Sequence, residues 1–323
     1  MKTKYLKYIL LVTILILLLF IILYIYKFST QKEYLDTTYQ KTIYLVWCNK
    51  IENSETFWGF GDKLRGAITL NQYCNENNIN FKIDGTDDIC SDYLKNIKSI
   101  DYPLIKDKPL LICIQDSVEQ LKEMIHNELL NKLKEMIHNE LLKKNVITIF
   151  TNVMPNDLSD KDKEFAKKIC EPNDSLAIEI NEKMKKLPIN YGIKHFRFND
   201  KVFQNDVDST DALFKKYYEL LQSDYKTTDV LITNSYNFKK YAKEKLGIIT
   251  IDCDNELCKI QHIGHSTEKE PVKNSFIEFF IICKSSYIKT YTCYLWPSNF
   301  VSWSSKIYNI PLNNEYIDEE NIS

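Results

Sequence analysis

Short apolar runs alternate with amphipathic stretches along most of this 323-residue chain. A short uninterrupted apolar run predicts a strand buried on both faces, and an amphipathic stretch predicts a helix that covers such a sheet. Strands are predicted at residues 42–48, 80–84, 109–114, 146–151, 191–198, 229–233, 248–251 and 287–291. Helices are predicted at residues 63–76, 121–144, 211–222, 237–245 and 298–308, and a further apolar stretch covers 276–283. This alternation predicts an α/β fold with parallel sheets.

The predicted elements form two successive series. In the first, a strand leads through a glycine-containing turn into a helix and a second strand, which is how a Rossmann-like unit begins. A second series of the same kind begins near residue 190, and the boundary is predicted near Leu187-Pro188. We therefore predict two Rossmann-like domains, residues 42–187 and 188–323, that face each other across a cleft.

The N-terminal region contains an apolar run long enough to cross a bilayer. Residues 8–26 are apolar except for Thr13, and as a helix they would span about 28 Å, close to the hydrocarbon thickness of a membrane. Three lysines precede the run, which favours a cytoplasmic N-terminus. We predict a type II signal anchor at 8–26, with a cytoplasmic tail at 1–7 and a stem at 27–41.

This topology predicts a Golgi or endoplasmic reticulum protein whose folded part faces the lumen. Nine cysteines suit an oxidising compartment, and their odd number leaves at least one unpaired. Asn173 and Asn321 begin glycosylation sequons, which predicts a glycoprotein. The predicted partner of residues 8–26 is the lipid bilayer, whereas a net charge of −2 argues against a nucleic-acid partner.

A tandem repeat lies in the first predicted domain. Residues 121–132 recur at 133–144 with one change, and the pattern is helical. A repeat fold would need at least about three units, so the duplication is interpreted as an insertion in a tolerant surface helix. His126 and His138, which are copies of one another, are expected to face solvent.

The first chemical motif is Gly59-Phe60-Gly61, which lies between a predicted strand and a predicted helix. Glycines before a helix allow close approach of a phosphate, because the helix N-terminus supplies N–H donors and a partial positive charge. Lys63 and Arg65 oppose the helix dipole, which suggests that they serve an anion. Asp62 lies in the same turn and is the candidate catalytic base, although a tight turn alone also accounts for the glycines.

The second motif, His195-Phe196-Arg197, ends a predicted strand. His195 and Arg197 alternate along it, so both side chains project from one face. An arginine can bind a diphosphate through two nitrogens and stays charged, so Arg197 is the candidate group that stabilises a departing nucleoside diphosphate. Asp200 follows and is expected to hold Arg197 in place. The alternative is a strand-end salt bridge with a buried histidine.

The third motif opens the final predicted helix. Ser298 is a good N-cap residue, and the N–H groups of its neighbours Asn299 and Phe300 are candidate phosphate ligands. Simple helix capping is the alternative interpretation. The glycine loop, the arginine strand and this helix together predict a diphosphate site, as in enzymes that use nucleotide sugars.

These segments resemble the fucosyltransferase superfamily, which includes the α1,6-, nodulation and protein O-fucosyltransferases. The shared pattern is a Gly-x-Gly loop opening a helix, a His-x-Arg-x-x-Asp segment, an acidic residue in an apolar helix, and a serine-led final helix. The resemblance covers most of residues 42–312 at the level of motifs. It implies a GT-B fold, an acceptor-side N-terminal domain, a nucleotide-sugar-binding C-terminal domain, GDP-fucose as donor, and inversion at the anomeric carbon. No metal cofactor is implied, and a glycan or glycoprotein is the implied acceptor.

The resemblance also assigns roles to individual residues. It implies that Arg197 contacts the GDP diphosphate, that His195 lies beside the nucleotide, that Glu278 recognises guanine, and that Ser298 with its neighbours holds phosphate. Two positions depart from the pattern: Phe198 stands where many members carry a second arginine, and Glu278 stands where aspartate is usual. Phe198 therefore suggests one positive charge fewer near the diphosphate.

Three alternatives remain open. Asp252-Cys253-Asp254 and Asp206-Val207-Asp208 both match the Asp-x-Asp signature of metal-dependent glycosyltransferases that use other nucleotide sugars. A zinc site could use the four ligands Cys253, Cys258, His262 and His265, although a disulfide between the two cysteines explains them equally well. A catalytically inactive, membrane-anchored glycan-binding protein is the third alternative.

Overall fold

A computed structural model of the protein describes residues 41–48, 59–98, 110–112, 122–253, 256–264 and 266–318. The strands in these ranges are β1 (Thr42–Cys48), β2 (Asn80–Asp87), β3 (Leu110–Ile112), β4 (Val146–Thr151), β5 (Gly192–Arg197), β6 (Val230–Thr233), β7 (Ile249–Thr250), β8 (Asp252–Cys253), β9 (Glu256–Leu257), β10 (Tyr287–Thr292) and β11 (Leu312–Tyr316). The helices are α1 (Phe60–Glu76), α2 (Lys122–Lys143), α3 (Asp160–Ile169), α4 (Asp174–Met184), α5 (Ala212–Asp224), α6 (Tyr236–Leu246), α7 (Lys269–Ile282) and α8 (Asn299–Tyr308).

The first sheet has the order β2-β1-β4-β3, and all of its pairs are parallel. Its central strand β1 pairs with β2 and β4, so that Ile43 lies beside both Phe81 and Ile147. Parallel strands need crossover connections, and α1 and α2 supply two of them. Ile43 and Leu45 are fully buried, as the apolar run predicts for a central parallel strand.

The second sheet has the order β11-β10-β5-β6-β7 and is also entirely parallel. Strand β5 lies at its centre, between β10 and β6, and β8 and β9 form a separate two-stranded antiparallel pair. The prediction of an α/β fold with parallel sheets is confirmed. The sequence pattern did not predict α3, α4 or the edge strand β11.

The two sheets share one hydrophobic core across the predicted boundary at Leu187-Pro188. The Phe60 ring at the start of α1 meets Phe276 and Phe279 of α7 edge-on, with centroids 5.2 and 5.1 Å apart. Helix α8, which connects β10 and β11 of the second sheet, packs against α1 and α3 of the N-terminal half. The two halves are therefore in direct aromatic contact beside the N-terminus of α1.

The duplicated segment forms the helix α2, as predicted. Leu130, Leu133, Ile137 and Leu141 are buried and form one stripe along it, because spacings of three and four residues return to the same helix face. His138 is exposed, as expected, whereas the side chain of His126 lies outside the described residues.

The predicted anchor at residues 8–26 also lies outside the described residues, together with the stem and Asn321. Among the helices that the structure describes, none is both long and apolar enough to cross a membrane. Asn173 caps α4: its side-chain oxygen accepts from the Leu176 N–H at 2.9 Å, and its amide nitrogen donates to the Asp92 carbonyl at 2.7 Å. The amide nitrogen of Asn173, at which glycosylation would take place, is therefore already engaged in a hydrogen bond.

Candidate functional site

A cleft of about 990 Å³ lies between the two sheets. It is bounded by the first turn of α1, the carboxyl end of β5, the middle of α7 and the first turn of α8. Twelve of the residues singled out in the sequence line it: Gly59, Phe60, Gly61, Asp62, Arg65, His195, Arg197, Asp200, Glu278, Ser298, Asn299 and Phe300. The fold brings these residues to one surface, and their individual roles stay predictions.

The two glycines bring the halves of the molecule into close contact. Helix α1 begins at Phe60, three residues earlier than predicted, so Gly59 is its N-cap. A Cβ atom on Gly61 would lie 2.5 Å from the Asn299 Cβ, and a Cβ on Gly59 would lie 2.7 Å from the Cε1 of His262. Side chains of the C-terminal half therefore fill the space that the missing Cβ atoms leave.

Asp62 is fixed from both sides of the cleft. Its Oδ1 accepts from the Nδ2 of Asn299 at 3.2 Å and lies 2.9 Å from a guanidinium nitrogen of Arg65. Lys63, which was expected to serve an anion together with Arg65, is instead buried in an ion pair with Asp88. Residues two apart on a helix point about 200° apart, so Lys63 and Arg65 do not face the same site.

His195 is buried in the centre of the second sheet at the floor of the cleft. Its Nδ1 lies 2.7 Å from the hydroxyl of Thr290 on the neighbouring strand β10. Burial, and to a smaller extent the nearby charge of Arg197, lowers the pKa of His195 to about 3. The imidazole is therefore neutral at physiological pH and acts as a hydrogen-bonding group.

Arg197 is held on the cleft wall by three groups. It forms an ion pair with Asp200, whose backbone N–H donates to the Tyr294 hydroxyl at 3.2 Å. The rings of Phe203 and Tyr294 lie 5.5 and 5.9 Å from the Arg197 guanidinium carbon. The Arg197 side chain is only 12% exposed, so its charge is partly desolvated and correspondingly effective towards an anion.

Phe198 lies on the opposite side of β5 from the cleft. It is fully buried, and its ring contacts Tyr217 and Phe238 at centroid distances of 4.7 and 5.4 Å. The sequence-based inference that Phe198 leaves one charge fewer at the diphosphate is wrong in this fold. Successive residues of a strand point to opposite faces, so Phe198 follows Phe196 into the core, away from Arg197.

Glu278 is fully buried in α7 and pairs with another buried residue, Lys239. The Lys239 Nζ donates to Glu278 Oε1 at 2.5 Å and to the Cys258 carbonyl at 3.2 Å. The other carboxylate oxygen, Oε2, has no hydrogen-bond partner among the described residues. Burial raises the pKa of Glu278, while Lys239 acts in the opposite direction.

The N-termini of α1 and α8 meet at the cleft. The hydroxyl of Ser298 accepts from the backbone N–H of Phe300 at 3.3 Å, which confirms that Ser298 caps α8. The Phe300 ring packs on Phe279 of α7, with centroids 5.5 Å apart. Two helix N-termini with their partial positive charges therefore line the same cleft as Arg197.

Several cleft residues were not predicted from the sequence, among them Asp157, Tyr294, Trp296 and Lys306, and His262 was considered only as a zinc ligand. The Tyr294 and Trp296 rings stack with centroids 5.9 Å apart. These residues lie in loops or late in a helix, where neither periodicity nor motif spacing indicates a site. Only the tertiary fold brings them to the cleft.

The Asp-x-Asp segments do not contribute to the cleft within the described residues. Asp252 pairs with Lys243 at 2.6 Å, and Asp206 accepts hydrogen bonds from the Ser235 hydroxyl and the Asn237 N–H. Asp254 lies outside the described residues.

The four candidate zinc ligands do not form a zinc site. Cys253 and Cys258 form a disulfide, so their thiolates are not available to a metal. His262 lies in the cleft, and His265 is outside the described residues. Across the described part of the chain, no group of three metal-ligating side chains is suitably placed for a metal ion.

The fold is similar to that of solved fucosyltransferases. A NodZ α-1,6-fucosyltransferase from a crystal soaked with GDP-fucose aligns with a TM-score of 0.51 over 88% of this chain and 97% of that chain, at 9% identity. POFUT1 aligns with a TM-score of 0.45 over 86% of this chain and 99% of that chain, at 9% identity. A variant of Arabidopsis thaliana FUT1 in complex with GDP aligns with a TM-score of 0.48 over 87% of this chain and 71% of that chain, also at 9% identity. No protein-family model matches the sequence, and no curated protein matches it. The NodZ similarity confirms the predicted resemblance at the level of the fold.

Proposed function

We propose that this protein is an inverting glycosyltransferase that transfers fucose from GDP-fucose to a glycan or protein acceptor. The observation that carries the proposal is the place of Arg197. It lies on the wall of a cleft between two parallel sheets that two helix N-termini also line, in a chain with a fold similar to that of solved fucosyltransferases. This arrangement suits the diphosphate of a nucleotide sugar.

Charge development determines what each group contributes. As the bond between the sugar and the phosphate breaks, negative charge builds up on the leaving diphosphate. Arg197, held by Asp200, offsets this charge more strongly in the transition state than in the ground state. The first turn of α8, opened by Ser298, adds backbone donors and a partial positive charge. Because these groups can offset the charge themselves, we expect no divalent metal requirement.

Glu278 is the proposed contact for the guanine base. Its Oε2 is buried without a hydrogen-bond partner among the described residues, although the residue lines the cleft. A buried acceptor without a partner is costly, so a base that offers an N–H donor would be favoured there. Lys239 on Oε1 keeps the carboxylate in place for this contact.

We also propose a single-pass type II membrane topology with the enzyme domain in the Golgi or endoplasmic reticulum lumen. The apolar run at residues 8–26 and the lysines before it support this topology. The disulfide between Cys253 and Cys258 fits an oxidising compartment. Protease protection of residues 42–323 in sealed microsomes would support the proposal, and their digestion would contradict it.

The experiment that tests the function measures the nucleotide released from GDP-fucose, UDP-galactose and UDP-N-acetylglucosamine by the full-length protein, with and without EDTA. We expect release from GDP-fucose alone, without an effect of EDTA. Arg197→Ala should slow it at least about 10²-fold, since the substitution removes the main charge contact. Lys201→Ala, which removes a nearby exposed cation outside the cleft, is the matched control.

A further inference from the structure

Two side chains that can accept a proton converge at Gly59. The Nε2 of His262 lies 3.2 Å, and the Oδ2 of Asp62 lies 3.7 Å, from the point where a Cβ on Gly59 would be. Asp62 belongs to the N-terminal half and His262 to the C-terminal half, so the pair exists only because the halves meet. Glycine at position 59 leaves room for the imidazole.

His262 also lies near the proposed leaving-group site. Its ring meets the ring of Phe203 edge-on, with centroids 5.8 Å apart. The ring of Phe203 also lies 5.5 Å from the guanidinium carbon of Arg197. A single aromatic ring therefore separates His262 from the cation that is proposed to receive the diphosphate.

The loop that carries His262 is fixed by the adjacent helix. The N–H of Gln261 donates to the Ser275 hydroxyl at 3.2 Å, and that hydroxyl lies 2.6 Å from the Gln261 carbonyl oxygen. Gln261 N–H also lies 3.3 Å from the Pro271 carbonyl oxygen, and Ser266 N–H donates to the His262 carbonyl at 3.2 Å. These contacts hold the backbone of His262 in place on both sides.

Three other acid–base groups of the cleft are less suited to take a proton from an acceptor hydroxyl. His195 is 3% exposed and bonded to Thr290, with a pKa of about 3. Asp200 forms an ion pair with Arg197. Asp62 is already held by Arg65 and Asn299 through its Oδ1.

We propose that His262 is the general base of the transfer reaction and that Asp62 stabilises the imidazolium that forms. This inference rests on the proposed glycosyltransferase function. An imidazole nitrogen of His262 takes the proton of the acceptor hydroxyl. At the same time, the oxygen of that hydroxyl forms a bond to the anomeric carbon. The bond from that carbon to the diphosphate oxygen breaks, and its electron pair leaves with the diphosphate, whose charge Arg197 offsets. The proton is thus on His262, and the carboxylate of Asp62 compensates the new positive charge.

The pH dependence follows from the charges around the imidazole. The titratable and charged groups that line the same cleft are Asp62, Arg65, Asp157, His195, Arg197, Asp200, Glu278, Tyr294 and Lys306. Below the pKa of His262 the imidazole is protonated and cannot accept a proton, so turnover falls as the pH decreases through that value. This fall in turnover is the acidic limb of the pH–rate profile. The carboxylate of Asp62 favours the imidazolium, so Asp62→Asn should move the acidic limb to lower pH.

The test uses the full-length protein and GDP-fucose, with water as the acceptor and GDP release as the readout, between pH 5 and 9. His262→Asn should reduce the rate at least about 10²-fold and remove the acidic limb, because general-base catalysis contributes about 10² to 10⁴. His262→Ala should regain rate when imidazole is added to the buffer. His138→Asn, which changes an exposed histidine on α2, is the matched control and should keep both rate and profile.

The melting temperature and the GDP-induced shift of each variant separate catalysis from folding. Loss of rate and of the acidic limb, with GDP binding retained and imidazole rescue observed, is the expected result. An acidic limb that is unchanged in His262→Asn would overturn the assignment of His262 as general base. A loss of GDP release in His262→Ala that added imidazole does not restore would overturn it as well. If the wild-type protein releases no GDP, the proposed function fails and this inference fails with it.

Discussion

Gly61 and Asn299 are in such close contact that a Cβ on Gly61 would lie 2.5 Å from the Asn299 Cβ and 3.1 Å from its carbonyl carbon. The neighbouring Asp62 accepts a hydrogen bond from the same asparagine at 3.2 Å. The first turns of α1 and α8 are thereby locked together, although they are more than two hundred residues apart in sequence. This contact closes one side of the cleft and fixes the distance between its two walls.

Gly61→Ala should therefore lower both the melting temperature and the affinity for nucleotide. The added methyl group meets backbone as well as side-chain atoms of Asn299, so the two helices have to move apart. We expect a loss of about 1–3 kcal/mol in the free energy of unfolding. Denaturant unfolding and a nucleotide titration measure the two effects.

The control is Gly247→Ala. Gly247 ends α6 with a positive φ of 66°, and a Cβ there has no atom within 4 Å. Alanine at 247 should cost about 1–2 kcal/mol through backbone strain alone and leave nucleotide affinity unchanged. If Gly61→Ala binds nucleotide as tightly as Gly247→Ala does, the contact does not set the geometry of the cleft.

The buried pair of Lys63 and Asp88 leads to a stability prediction. Both side chains are at most 1% exposed, and Asp88 Oδ1 also accepts from the Cys90 N–H at 2.9 Å. Lys63→Met leaves a buried carboxylate without its counter-ion and should cost about 3–5 kcal/mol in the free energy of unfolding. Lys63→Met combined with Asp88→Asn should recover part of this loss.

The matched control for that prediction is the exposed pair of Lys95 and Glu171, whose side chains are 54% and 46% exposed. Lys95→Met should leave denaturant unfolding unchanged, since water screens such a pair. Equal effects of Lys63→Met and Lys95→Met would show that the Lys63 pair is not buried as described.

The spacing of apolar residues predicted most strands and helices of the fold, because buried parallel strands and amphipathic helices differ in this spacing. It also placed His195 and Arg197 on one face of a strand, and the structure has both at the cleft. The same alternation, applied one residue further, would have placed Phe198 in the core, where it lies. There, comparison with a family pattern was a poorer guide than the geometry of the strand.

Other features depend on contacts that no local pattern encodes. Lys63 was expected at an anion site, but Asp88, from a segment beyond β2, pairs with it in the core. His262 was considered only as a zinc ligand, because nothing in its loop indicates that it packs on Gly59. Predicting these positions requires the arrangement of the two sheets, to which the aromatic contacts of Phe60 with Phe276 and Phe279 contribute.

His195 leads to a pH prediction for stability. Its pKa is about 3 in the folded protein and about 6.5 in an unfolded chain, so between these values the unfolded state binds more protons. The contribution of His195 is fully present above about pH 6.5 and is lost as the pH decreases towards 3. The free energy of unfolding should therefore fall with decreasing pH in this range.

Denaturant unfolding between pH 4 and 7 measures this effect. His195→Asn, which cannot titrate, should show a shallower decrease than the wild-type protein, whereas the exposed-site variant His138→Asn should show the wild-type slope. Parallel curves for His195→Asn and the wild-type protein would mean that His195 is not buried in its neutral form.

The measurement that tests the account most directly is the thermal shift of the full-length protein with GDP, GDP-fucose, UDP and CMP, each with and without EDTA. We expect that GDP and GDP-fucose alone raise the melting temperature, that EDTA has no effect, and that Arg197→Ala abolishes the shift while Lys201→Ala retains it. A shift that requires a metal ion and UDP would contradict the account, and so would the absence of a shift with any of the nucleotides.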